Sequence, residues 1–153
     1  MKTFILILSV LLALFTSCKK SSQSPSVQAL LQNKWKLLSE EYSYPTIPNA
    51  MSNKYDGISS DYYQFTLDDT LIVSQAGLPS APYNPFQSRR KYSLLNDKNI
   101  FLYGNINGPS DTVTIQKITT DSLILTSPIY ITYVDTSHNY VNATGVVTSR
   151  LFR

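Results

Sequence analysis

The sequence predicts an all-β domain, an antiparallel up-and-down barrel of about eight strands with a short N-terminal helix. Three observations predict it. Tyrosine is abundant at 11 residues while glycine is scarce at 5, and Tyr, Thr, Val and Ile favour half-buried strands. Apolar and polar residues alternate with a period of two in several runs, as in a sheet with one wet face. Short turn signals separate most of these runs, so consecutive strands pair as hairpins. An open sheet of this kind leaves unpaired edges, and closure removes them. A β-sandwich has the same local pattern and is the alternative.

The N-terminus carries a separate signal. Lys2 precedes an apolar run over residues 4–15 broken only by Ser9. The run suits a signal-peptide core and falls short of the roughly 20 residues that a spanning helix needs. Thr16 and Ser17 then precede Cys18, the lipobox arrangement of small residues before a cysteine whose thiol takes a lipid. Phe15 stands where an aliphatic residue is usual. The alternative is an ordinary signal peptide or anchor helix with Cys18 incidental. Cys18 is the only cysteine, so it has no intrachain disulfide partner. In an oxidising compartment an unpaired thiol is a liability that lipidation removes. Residues 1–17 are therefore read as a lipoprotein signal peptide, Cys18 as the lipidation site (a palmitate-type acyl anchor), and residues 18–26 as a flexible tether. The tether is Lys-Lys-Ser-Ser-Gln-Ser-Pro-Ser after Cys18, polar and without periodicity.

Residues 27–153 are read as the β-barrel domain. Val27, Leu30 and Leu31 follow Pro25 and Ser26 at helical spacing, which predicts the short helix. Residues 34–42 begin with Trp35 and Leu37 on one side and Lys34 and Lys36 on the other. Residues 44–60 contain Pro45, Pro48 and Gly57 and read as a long connection. Tyr63, Phe65 and Leu67 alternate with Gln64 and Thr66; Asp68-Asp69 makes a turn, and Leu71 and Val73 continue the apolar face. Residues 77–86 hold Pro79, Pro82 and Pro85 and read as loop, because proline cannot donate to a ladder. Residues 90–95 and 99–103 pair around Asn96-Asp97. A turn at 105–111 leads to strands at 112–119 and 122–127, paired around Thr120-Asp121. Strands at 129–136 and 145–152 end the domain, joined through 137–144.

The formal net charge is +3 and drops by one with Lys2, so nothing electrostatic points to nucleic acid. No cofactor is implied. His138 is the only histidine and falls in the 137–144 connection. With no cysteine beside the lipidated one, it makes neither a zinc site nor a Cys–His pair. Asp135 and several serines lie near in sequence, but no nucleophile motif such as G-x-S-x-G supports a triad. His138 is read as a solvated loop residue, and the domain as non-enzymatic. Asp68-Asp69 lacks the spacing of a calcium loop. Arg89-Arg90-Lys91 is read as a solvated strand start.

Two segments resemble a known family. Leu31-Gln32-Asn33-Lys34-Trp35-Lys36-Leu37 resembles the first strand of lipocalin-like domains, which follows a short helix and carries a buried tryptophan. Tyr63-Gln64-Phe65-Thr66-Leu67-Asp68-Asp69-Thr70-Leu71 is similar to the F-T-x-D-G-T hairpin of lipocalin-like lipoproteins of Bacteroidetes-type bacteria. Asn33 and Asp69 replace the family's glycines, and both residue types tolerate turn conformations. The resemblance implies a buried Trp35, with Arg150 or Arg153 packed over it by a cation–π contact.

Two function classes follow. In the first, the barrel holds a small hydrophobic ligand. Loops 44–60 and 77–88 would then frame the mouth, with Tyr44, Tyr55, Tyr83 and Phe86 as candidate ligand-binding residues. In the second, a filled barrel serves as a protein-interaction or structural module of the cell envelope. Both imply a membrane partner through the lipid anchor, on the outer membrane. The tether lacks the acidic run associated with surface export in such lipoproteins, which favours a periplasm-facing position.

Overall fold

The structure is a computed structural model that describes residues 24–45, 47, 53–77, 85–104 and 110–153. Helix α1 spans Val27–Leu31, with Ser26 as its N-cap. The Ser26 Oγ accepts from the Ala29 N–H at 3.2 Å, satisfying one of the donors a helix start leaves open. The strands are β1 (Lys34–Ser43), β2 (Asn53–Asp56), β3 (Tyr62–Phe65), β4 (Thr70–Gln75), β5 (Phe86–Asn96), β6 (Asn99–Leu102), β7 (Asp111–Ile118), β8 (Ser122–Val134) and β9 (Tyr140–Phe152).

From β3 to β9 each strand pairs antiparallel with the next. β3 also pairs with β1, and β1 pairs with β9 from Lys36↔Phe152 to Ser43↔Val146. The sheet therefore closes on itself as an eight-stranded up-and-down barrel. Closure through β1–β9 leaves no second layer, so the barrel and not the sandwich is the fold.

One end is sealed. α1 lies across it from the start of β1 to β7, and Leu31 and Trp35 are fully buried. The Trp35 indole N–H donates to the Leu31 carbonyl at 3.1 Å. Of the two basic candidates it is Arg153 that covers Trp35, its guanidinium carbon 4.4 Å from the ring centroid. Arg153 also donates to the Leu30 carbonyl at 2.6 Å. Arg150 instead pairs with Glu41 at 3.2 Å.

Three expectations are corrected. The 44–60 connection contains a strand, β2, which pairs with the far half of β1. Strands expected at 122–127 and 129–136 are one strand, β8, running through Pro128. β7 partners β8 only as far as Thr126, so beyond it the missing proline N–H breaks no ladder on that edge. Leu67 does not continue the apolar face: β3 ends at Phe65, and Leu67 sits exposed in the turn. Asp69 takes φ 56° there, a left-handed conformation that Asp tolerates better than most residues.

Between β2 and β3, residues 57–61 lie flat against β1. The Gly57 N–H donates to the Leu38 carbonyl at 2.9 Å, and the Leu37 N–H to the Asp61 carbonyl at 3.0 Å. A Cβ on Gly57 would collide with the Leu37 carbonyl oxygen. Trp35→Ala is expected to destabilise the fold by about 3–5 kcal/mol, as for other buried aromatics. Denaturant unfolding measures this, and a loss below about 1 kcal/mol would place Trp35 outside the core.

Candidate functional site

The barrel is packed at the α1 end and hollow toward the other. The cavity measures about 280 Å³, near the lower bound of small-molecule sites. Its walls are mostly apolar, with Phe65, Leu71, Val73, Ile100, Leu102, Val113 and Leu125 contributing. Phe86, 40 % exposed, lines it where β5 starts. That end is where β1 and β4 finish.

A polar cluster occupies the wall formed by β1, β3 and β9. Glu40 is only 3 % exposed. Its Oε2 accepts the Tyr42 hydroxyl at 2.7 Å. Its Oε1 accepts the Ser149 hydroxyl at 3.1 Å and the Tyr63 hydroxyl. All of these residues line the cavity. Charge-assisted hydrogen bonds of this kind are the strong ones, and together they fix the carboxylate. Burial pushes the Tyr42 and Tyr63 phenols well above their ordinary range, with the Glu40 charge and hydrogen bond adding to the effect.

Glu40 faces inward because β1 is bulged. Trp35 and Leu37 point in at odd positions, and the register with β9 shifts between Leu37 and Ser39. Leu38 is left 55 % exposed, and the inward positions become Glu40 and Tyr42. Bulges re-aim side chains in this way near sites.

Arg90 and Gln75 line the cavity as well. Arg90 is engaged: it pairs with Asp111 at 3.0 Å and donates to the Tyr103 and Leu102 carbonyls. Gln75 is 4 % exposed, yet its amide nitrogen has no hydrogen-bond partner among the described residues. A buried donor left unmatched is costly.

Of the candidate residues, Phe86 lines the cavity. Tyr44 lies outside its lining and packs beside β9, its ring 2.8 Å from where a Gly145 Cβ would stand. Tyr55 also lies outside the lining and donates to Asp61 at 2.6 Å. Asp61 is fully buried and also accepts the N–H groups of Ile58 at 2.9 Å and Ala76 at 2.7 Å, tying the β2–β3 break to the end of β4. Tyr83 and Cys18 lie outside the described residues. His138 sits in the turn of the β8–β9 hairpin with φ 66°, where Asp135 Oδ1 accepts the Ser137 and Asn139 N–H groups.

No motif or spacing in the sequence marks Glu40, Tyr42, Tyr63, Gln75 or Ser149 as site residues. One signal for Glu40 was present. Adjacent residues of a strand face opposite sides, so the pair Glu40-Glu41 sends one carboxylate inward in any register. The same rule divides Arg89-Arg90-Lys91, which is not one solvated patch: Arg89 and Lys91 are exposed while Arg90 lines the cavity.

The arrangement defines a β-barrel with an apolar chamber whose wall carries the buried carboxylate of Glu40. No protein-family model matches the chain, and no curated protein matches it in sequence.

The Tyr42 and Tyr63 shifts set a pH limit. In the unfolded chain both phenols ionise near pH 10, whereas the fold holds them protonated above it. Their contribution to stability is thus complete below about pH 10 and falls as the pH rises beyond it. An ultraviolet titration should show phenols that ionise only on alkaline unfolding, and Tyr42→Phe or Tyr63→Phe should each remove one.

Proposed function

We propose that this chain is a membrane-tethered, non-enzymatic lipoprotein whose lipocalin-like barrel binds a small hydrophobic ligand in the cell envelope. One observation carries the reading: the apolar chamber of about 280 Å³ between the sealed end and the strand ends around Phe86. Well-packed interiors leave few voids larger than a water, so a chamber of this size is a feature to be filled. The Trp35–Arg153 seal and the helix before β1 support the likeness to lipocalin-like domains. The signal segment and Cys18 support the lipid anchor and the envelope location. Acyl chains contribute about 0.8 kcal/mol per buried methylene, and two or three of them hold a protein on a membrane.

A second reading rests on the β8–β9 hairpin, which extends past the end of β7 pairing. Tyr130 is 69 % and Tyr140 84 % exposed there. Exposed tyrosines suit contact surfaces, so this arm is the place a protein partner would dock.

Ser127 lines the chamber, and Ser127→Trp is expected to fill it. An environment-sensitive apolar dye should bind the native chain and lose at least tenfold in affinity to this variant, as read by fluorescence titration. Retained binding would move the site to the outer surface. Palmitate labelling of cells should mark the native chain, and Cys18→Ala should abolish the label.

A further inference from the structure

Resting on the chamber reading above, we propose that the cavity selects a small amphipathic primary amine, its ammonium seated on the Glu40 carboxylate and its hydrocarbon body on the apolar wall. Among the described residues two charged side chains line the cavity, Glu40 and Arg90. Arg90 is matched by Asp111. Glu40 has no cationic partner among the described residues, although it is almost fully buried. A buried charge is costly unless it is paired, and a cationic ligand supplies the pair.

The proton inventory points the same way. A hydroxyl carries one proton and two lone pairs. Tyr42, Tyr63 and Ser149 each direct that proton to Glu40. What this wall then presents to a ligand is acceptors: the remaining carboxylate lone pairs and the hydroxyl lone pairs. An alkylammonium is three donors and no acceptor, which complements such a wall. A ligand carboxylate or phosphate meets like charge and lone pairs there, so a fatty acid is the wrong ligand for this cavity.

Gln75 is a second polar point of the same cavity. Its buried amide nitrogen is unmatched among the described residues, so an amine that also bears an acceptor at its far end would match it as well. At roughly 30 Å³ per water-sized group, the volume holds on the order of ten non-hydrogen atoms. That is the size of an arylalkylamine and too small for a long acyl chain.

The test is calorimetric titration of the full chain in detergent at neutral pH with three matched probes: phenethylamine, 2-phenylethanol and 3-phenylpropionate. Phenethylamine is expected to bind at least tenfold more tightly than 2-phenylethanol, the scale of a charge-assisted contact, with 3-phenylpropionate weakest. Glu40→Gln should erase the preference for amine over alcohol. A carboxylate probe that binds as tightly as the amine overturns the proposal, as does a Glu40→Gln chain that keeps the amine preference. If that variant fails to fold, the ranking of the three probes on the native chain still decides. Alcohol binding without an amine advantage sinks this inference and leaves the chamber reading standing. Binding of none of the three sinks both.

Discussion

Strand β1 has to satisfy three neighbours at once. One edge pairs with β9 along Lys36 to Ser43, and the other pairs first with β3 and then with β2. Closure of the sheet depends on this strand, because β1 is where the ring meets itself. Meeting both edges through one twisted strand is accommodated by the register shift between Leu37 and Ser39 and by the five-residue excursion 57–61 opposite it. Asp61 holds that excursion in place through backbone donors from Ile58 and Ala76. Gly57 allows it to lie against the Leu37 carbonyl.

The same bulge links closure to chemistry. Below it β1 buries Trp35 and Leu37, which belong to the apolar core. Above it β1 turns Glu40 and Tyr42 into the cavity. One strand thus supplies the sealed floor and the polar wall, and the change of parity divides the packed half from the hollow half. Stability and binding capacity lie in different layers of the barrel. The floor is fastened by Trp35, Leu31 and Arg153. The chamber forgoes part of that packing and keeps a carboxylate and an amide donor in an apolar setting, an arrangement that loses stability on its own.

Much of the fold was legible because period-two alternation and turn residues are local. The strands around Asp68-Asp69, Asn96-Asp97 and Thr120-Asp121 fall where those signals put them. β2 was hidden because Asn53–Asp56 has four residues, none of them fully buried, and so shows no alternation. Pro128 looks like a strand breaker in the sequence, but proline breaks a strand only where both edges are paired, and here one is free of β7. Of the site, Phe86 was named, while Glu40 was concealed by the bulge: extrapolated from Trp35 and Leu37, even positions face solvent.

By itself, the sequence determined the strand-rich class, the hairpin order and the helix before the first strand, since each follows from contacts between near neighbours in the chain. It also carries the apolar run before Cys18 on which the proposed lipid anchor rests, a matter of order along the chain. Only the tertiary structure decided that the sheet closes, that Arg153 rather than Arg150 covers Trp35, and that Glu40, Tyr63 and Ser149 meet. Those residues are far apart in sequence, and their meeting depends on the β1–β9 register. A one-residue shift in that register would exchange the inner and outer faces.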